Sequence, residues 1–326
     1  MNSNITNSSI SSPEPRLTVV CLCYNQKPYL EEALNSVFKF KSQDTQVIYI
    51  DNGSVDGSQK LFHKIKSSYF FDSVILNKEN LGSCKAFNQA LKLAKGKYII
   101  DFSCDDIILK SLSSRIDFFE KLDNHISLTF SNAQTINESA QNIGYHYSVN
   151  AAKKSIDPIP EGQVFSRVLK AYYICTPTMM FRTKTLKDIG GYDERLDYED
   201  FDIKTRLARI SEFRYDDQVH IGKRIHNTQM SRGFFSNYRG PGMSNSTLII
   251  FKRLQEEISR EEDIDSLCKR CLYEGRNAAI FNYPSKKGFN KILKNHQRWN
   301  LMIAIKWNLF SLIGFIIKNK LSKIEK

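Results

Sequence analysis

The chain has 326 residues, 41% apolar and 25% charged, with a formal net charge of +12. These are the proportions of a globular protein with room for one large domain and an appendage, and they exclude wholesale disorder. Ten Lys/Arg and one acid between Pro284 and Lys326 put +9 in the last segment and leave +3 of the +12 for everything before it. A nucleic-acid enzyme more often spreads basic surface over its body, so no nucleic-acid partner is expected.

The first fifteen residues, MNSNITNSSISSPEP, are polar and lack the apolar run of a secretory leader. They read as a flexible tail, and the sequons at Asn4 and Asn7 carry no meaning without secretion. Seven cysteines, an odd number, fit a reducing compartment with free thiols. Cys268 and Cys271 lack the further ligands a structural zinc needs, and Cys21 and Cys23 read as small buried hydrophobes.

Leu17–Cys23 is a continuous apolar run and predicts a buried strand. Apolar spacing at Leu30, Ala33, Leu34 and Val37 predicts a helix over 29–38. A strand at 46–50, a helix at 58–66, a strand at 73–76, a helix at 83–94 and a strand at 96–102 follow. This alternation predicts right-handed crossovers and a mainly parallel open sheet with helices on both faces. Strands are then expected at 126–131, 143–147 and 176–181, and helices at 161–171 and 200–209. Beyond about Ser244 the pattern is helical. The expected division is a tail over 1–15, a catalytic domain over 16–243 and a helical, basic region over 244–326.

In such a sheet, ligands bind beyond the carboxyl ends of the strands. Three polar clusters fall at those ends: Tyr24-Asn25, Asp51-Asn52-Gly53-Ser54 and Ser103-Cys104-Asp105-Asp106. Singly, Asp51-Asn52-Gly53 reads as a turn and Asp105-Asp106 as a helix cap. Together they point to a nucleotide and a divalent metal, Mg²⁺ or Mn²⁺, on hard oxygen ligands. No Gly-x-x-x-x-Gly-Lys loop and no Gly-x-Gly-x-x-Gly after a strand is present, which argues against a P-loop ATPase or a dinucleotide dehydrogenase.

The segments VVCLCYNQKPYLEEALNSV, IDNGSVDGS, ENLGSCKAFNQAL, GKYIIDFSCDD and GYDERLDYEDFD follow one another in the order seen in family 2 glycosyltransferases. The resemblance runs from about Arg16 to Ser231, two-thirds of the chain, and implies the GT-A fold and an inverting transfer from a nucleoside-diphosphate sugar. It places Tyr24 near the base and makes Asp51 the acceptor of a base ring N–H. Asp105 becomes the metal ligand, with Asp106 beside it near ribose or metal. Arg224 and His226 match a late R-x-H element close to the diphosphate, His226 joining the metal set. Cys23, Asn25, Asn88 and Ser103 complete the implied nucleotide-sugar-binding set. Asp200, preceded by Glu199, matches the general base.

The chemistry agrees with those roles. General-base catalysis contributes about 10²–10⁴-fold, and a metal neutralises charge on a departing diphosphate. Asp200 needs a modestly raised pKa, by partial burial or by the charge of Glu199. Read alone, Asp200 is a first-turn helix cap and His226 a structural histidine. Three positions depart from the family pattern: Ser103 stands where the first acid of D-x-D is usual, Leu22 where proline is, and Asn52 where a second acid is common.

Trp299–Ile317 is apolar apart from Lys306, two Asn and Ser311, and lysines flank it. A basic amphipathic helix in the membrane interface fits best, with packing onto the catalytic domain or a true span as alternatives. The expected enzyme is cytoplasmic and peripheral at the inner face of the cell membrane. Its donor would be a nucleotide sugar, UDP-linked first, and its acceptor a glycan or lipid-linked hydroxyl in surface polysaccharide or lipopolysaccharide synthesis. The rival readings are a catalytically weak glycosyltransferase-like binding module and a nucleotidyltransferase.

Overall fold

The computed structural model describes residues 14–236 and 238–324, the side chains of 231, 234, 235 and 315–324 excepted. Of the predicted tail only Glu14 and Pro15 fall inside; its sequons lie outside the described residues.

The chain opens with β1 (Leu17–Cys23), α1 (Leu30–Phe40), β2 (Thr45–Asp51), α2 (Ser58–Ile65), β3 (Ser73–Leu76), α3 (Ser83–Leu93) and β4 (Tyr98–Ser103). β1 pairs in parallel with both β2 and β4, and β2 with β3. β2 is buried along its whole length, which is why the run carries no polar alternation. In α1 the buried residues are Leu30, Ala33, Leu34 and Val37, the face set by a 3.6-residue period.

The middle contains β5 (Ile107–Ile108), α4 (Leu112–Glu120), β6 (Ile126–Ile136), β7 (Asn142–Tyr145), α5 (Phe165–Lys170), β8 (Met180–Arg182), α6 (Thr183–Asp188), α7 (Asp200–Ile210) and β9 (Glu212–Arg224). The nine-stranded sheet runs β3-β2-β1-β4-β8-β6-β9-β5, with β7 paired to β6. Antiparallel pairing enters with β8, between β4 and β6. The strand expected over 176–181 begins instead as a 3-10 turn at Thr176–Thr178, because Pro177 supplies no N–H to a ladder. The helix expected over 161–171 narrows to α5, since Gly162 bridges to Phe213.

The last four helices are α8 (Gly240–Glu257), α9 (Glu261–Ile280), α10 (Lys286–Asn295) and α11 (Leu301–Ile324). Leu248, Phe251, Leu267, Phe289 and Leu293 of this group join one apolar cluster with Phe87 of α3 and Phe201 of α7. A second cluster, on the other face, holds α1, α2 and α4. Each such Leu or Phe contributes about 1.5–3 kcal/mol on burial. The C-terminal helices and the sheet are therefore held by a shared core.

α11 docks on α9 through Trp307. A Cβ on Gly275 would lie 1.8 Å from the indole ring, so only glycine fits. Ser311 accepts from Lys286 Nζ at 3.0 Å and thus meets the body. The exposed side carries Leu301, Met302, Ile305, Leu309, Leu312 and Ile313. No helix among the described residues is long and apolar enough to cross a membrane.

Candidate functional site

Strand register brings the polar clusters to one edge: Cys23 lies opposite Asp51, and Leu22 opposite both Ile50 and Ser103. The loops beyond are stitched together. Asn25, at φ +54°, donates its N–H to Ser54 Oγ (2.9 Å) and accepts from Val55 N (2.8 Å). Asn52 donates to Asn80 Oδ1 (2.9 Å) and accepts from Leu81 N (3.1 Å). Gly53 sits at φ +74°, where a Cβ would lie 2.3 Å from the Glu79 carbonyl carbon. The result is a cleft of about 660 Å³, lined by Tyr24, Gln26, Asn52 and Ser103 on the strand side and by Asp197 and Arg239 among others opposite.

Asp51 is fully buried at the foot of these loops. Its Oδ1 accepts from Ser54 N (2.8 Å) and Gln59 Nε2 (2.7 Å), while Oδ2 is buried with no partner among the described residues. An orphaned carboxylate oxygen is costly and wants a donor. Two predicted residues stand elsewhere. The Cys23 side chain is in the apolar cluster on the α1 face, so it meets the cleft region through backbone alone: its carbonyl accepts from Asn52 N at 2.8 Å. Asn88 spends its amide on the turn before Glu199, accepting from Tyr192 N (3.0 Å) and donating to Tyr192 O (2.8 Å) and Glu194 Oε1 (3.0 Å).

Beyond Ser103, which accepts from Gln26 Nε2 at 2.9 Å, Asp105 Oδ2 and His226 Nε2 lie 2.9 Å apart. The other ring nitrogen of His226 is 2.9 Å from Thr228 Oγ1, which fixes the ring. Burial raises the Asp105 pKa, but hydrogen bonds from His226 and Ser103 outweigh it and hold Asp105 below the usual carboxylate range. Asp106 is instead turned into the fold: its Oδ1 accepts from Arg224 N at 2.8 Å, and burial with the Asp105 charge raises its pKa well above the ordinary value. Arg224, implied to lie close to the diphosphate, is a buried clamp. Its guanidinium donates to the carbonyls of Asp105 (2.7 Å), Asn137 (3.0 Å) and Glu138 (2.9 Å) and to Glu32 Oε2 (2.6 Å), and it covers the Tyr29 ring.

No three His, Cys, Asp or Glu side chains gather at one point among the described residues. Asp105 Oδ2 and His226 Nε2 are bonded to each other, and the second ring nitrogen of His226 to Thr228. Magnesium-type ions commonly take one or two protein ligands and fill the rest with phosphate and water. Asp105 is a hard oxygen ligand of that kind, while Asp106 Oδ1 is taken by the Arg224 N–H of β9.

Glu199 and Asp200 stand at the head of α7. Glu199 Oε2 accepts from Ser83 Oγ at 3.1 Å, and Ser83 lines the large cleft. Asp200 lines a second cavity of about 280 Å³ with His146, Thr176, Lys223 and Tyr273. Its Oδ2 accepts from Thr176 Oγ1 (2.9 Å) and Lys204 Nζ (3.1 Å). The expected pKa order is reversed. Burial and the Asp200 charge push Glu199 up to about 7. For Asp200, burial is outweighed by the charge and hydrogen bond of Lys204, so its pKa falls below the ordinary value.

Lys204, Thr176 and Glu32 escaped the sequence reading. Lys204 carries a usable signal, four residues after Asp200 on a predicted helix. Asp101 also escaped it: burial, then the Glu199 charge, push its carboxyl up to about 8, and Tyr192 OH donates to it at 3.2 Å. It shares a strand face with Ser103, two residues on.

Comparison with known proteins defines the class. A *Staphylococcus aureus* TarS structure solved with UDP-GlcNAc superposes with a TM-score of 0.58, at 18% identity over 90% of this chain and 78% of that one. The *Pyrobaculum calidifontis* mannosyltransferase PcManGT, solved with GDP-Man and Mn²⁺, gives 0.56 at 12% identity over 92% and 84%. The fold is thus that of the GT-A glycosyltransferases. The model of glycosyl transferase family 2 matches residues 18–190, and the chain belongs to that family of enzymes. An uncharacterized glycosyltransferase of *Rickettsia felis* is 24% identical over 84% of this chain and 44% of its own length. A poly-beta-1,6-N-acetyl-D-glucosamine synthase of *Staphylococcus aureus* is 26% identical over 59% and 45%. The chain spans less than half the length of both relatives.

Proposed function

We propose that the chain transfers a sugar, with inversion, from a nucleoside-diphosphate donor to a hydroxyl of a glycan or lipid-linked acceptor in cell-surface polysaccharide or lipopolysaccharide synthesis. The observation that carries the reading is the position of Glu199-Asp200 between two cavities: Glu199 reaches the large cleft through Ser83, and Asp200 lines the smaller one. A group poised between two binding spaces is what a transfer needs.

In this reading the cleft holds the donor. Tyr24 lies against the base, and the unpartnered Asp51 Oδ2 accepts a ring N–H, which uracil, thymine and guanine each supply, with UDP the first donor to test. Asp105 and His226 are the residues that would hold a divalent cation, which would supply charge neutralisation at the diphosphate. Asp200, kept ionised by Lys204, takes the proton of the acceptor hydroxyl as that oxygen attacks the anomeric carbon and the nucleoside diphosphate departs. Glu199, close to neutral pH in its titration, limits the negative charge beside it. The catalytic unit is residues 16–243, and the helices of 244–326 close the second cavity and present the apolar side of α11 with its lysines to an anionic membrane surface. That surface would be the inner face of the cell membrane, where lipid-linked acceptors lie.

The test is nucleotide release from UDP-GlcNAc and other nucleotide sugars with a glycolipid extract as acceptor. Asp200→Asn is expected to lower release by about 10²–10⁴-fold and to leave UDP binding intact. Loss of UDP binding in that variant would remove Asp200 from the base role.

A further inference from the structure

The smaller cavity has a wall that the sheet does not supply. His146, Thr176, Asp200 and Lys223 line one side; Tyr273, Glu274 and Asn277 of α9 line the other. The two halves are locked. Arg270 of α9 lies 3.6 Å from the ring centroid of Tyr172, which also lines the cavity, and pairs with Glu274 Oε1 at 2.7 Å. At about 280 Å³ the space is at the small end of small-molecule pockets, room for one ring rather than a chain.

Its charges are uneven. Asp200 is compensated by Lys204 and Glu274 by Arg270. Burial lowers the pKa of His146, so it adds no charge near neutral pH. Lys223, half-buried on β9, has no ion pair or hydrogen bond among the described residues. One uncompensated ammonium therefore faces a cavity beside the candidate base, and a half-buried cation of this kind gains from an anionic partner.

We propose that this cavity is the acceptor subsite, and that the acceptor presents a sugar ring bearing an anionic substituent, phosphate or carboxylate, received by Lys223. Tyr172 and Tyr273 offer aromatic faces to the ring, and Asn277 and Thr176 offer hydrogen-bonding groups to its hydroxyls. The inference rests on the transfer reading, because it is Asp200 that makes this cavity the acceptor's. It gives α9 a role in substrate choice.

The test uses the full chain. Dissociation constants of glucose 6-phosphate, glucuronate and methyl glucoside are measured by saturation-transfer NMR, and that of UDP by calorimetry. At least one anionic sugar should bind about tenfold or more tighter than the neutral one, the scale of a charge-assisted hydrogen bond. Which anion is favoured separates phosphate from carboxylate. Lys223→Ala should erase the preference, Tyr273→Ala should weaken all three sugars, and neither should change UDP affinity more than twofold. No anionic preference, or a preference that survives Lys223→Ala, overturns the inference. UDP binding with no anionic preference defeats the acceptor assignment alone; anionic preference without UDP binding defeats the donor reading instead.

Discussion

Lys204 Nζ lies 3.1 Å from Asp200 Oδ2, one turn further along α7, and 3.2 Å from Thr176 Oγ1, which donates to the same carboxylate oxygen. The lysine side chain is 4% exposed and the aspartate 23%. A cation so deeply placed is costly without its partner, and the partner is the proposed base.

The pair should therefore be visible in stability. A carboxylate whose pKa is lowered by folding contributes stability that is present above its unfolded pKa, about 4, and is lost as pH falls through the folded value. Lys204→Met is expected to cost about 3 kcal/mol at pH 7, and the gap to the wild type should begin to narrow at about pH 4 and close only as pH falls through the lower folded value. Urea denaturation across pH measures this. A pH-independent gap would mean that Lys204 contributes packing alone.

Glu199 predicts the opposite slope. Its pKa is raised to about 7, so between the unfolded value and 7 the native state holds a proton that the unfolded state has lost, and stability falls as pH rises. The wild type should lose up to about 3 kcal/mol between pH 4.5 and 7 that Glu199→Gln does not lose. Parallel stability profiles for the two proteins would contradict the assignment.

Arg224 separates a clamp from a phosphate ligand. Its four guanidinium hydrogen bonds all go to the protein. Lysine cannot reproduce a planar fork, so Arg224→Lys should cost about 3 kcal/mol in chemical denaturation. UDP affinity of the folded variant should be within twofold of the wild type. A large loss of UDP affinity at unchanged stability would return Arg224 to the diphosphate.

The parallel half of the sheet was readable because each buried strand is an unbroken apolar run and each helix keeps its period. β9 was not. Its alternation through Phe213 and Tyr215 breaks at Asp216-Asp217, where the register with β6 jumps from Ser131–Asp216 to Asn132–Val219. The position of the candidate residues along the elements was legible too. Asp51, Asp105 and Asp200 sit at strand or helix ends that local signals mark. The protein partners of Asp106, Arg224 and Asn88 were not legible, because they lie far away in sequence and only the tertiary fold brings them into hydrogen-bonding distance.

The exposed side of α11 carries its own prediction. Ile305 and Leu309 are more than half exposed on a helix whose opposite side is fixed by Trp307. Ile305→Asp with Leu309→Asp should abolish flotation with phosphatidylglycerol vesicles while UDP affinity stays within twofold. Unchanged flotation would detach α11 from the membrane.

The most direct test of the central claim, a nucleotide donor held with a divalent metal, is thermal unfolding with UDP, TDP and GDP, each with and without Mn²⁺. One nucleotide at about a hundred times its Kd should raise Tm by roughly 5 °C. The rise should need the metal, should shrink in Asp105→Ala and should vanish in Asp51→Ala. No rise with any nucleotide, with or without Mn²⁺, would contradict the account.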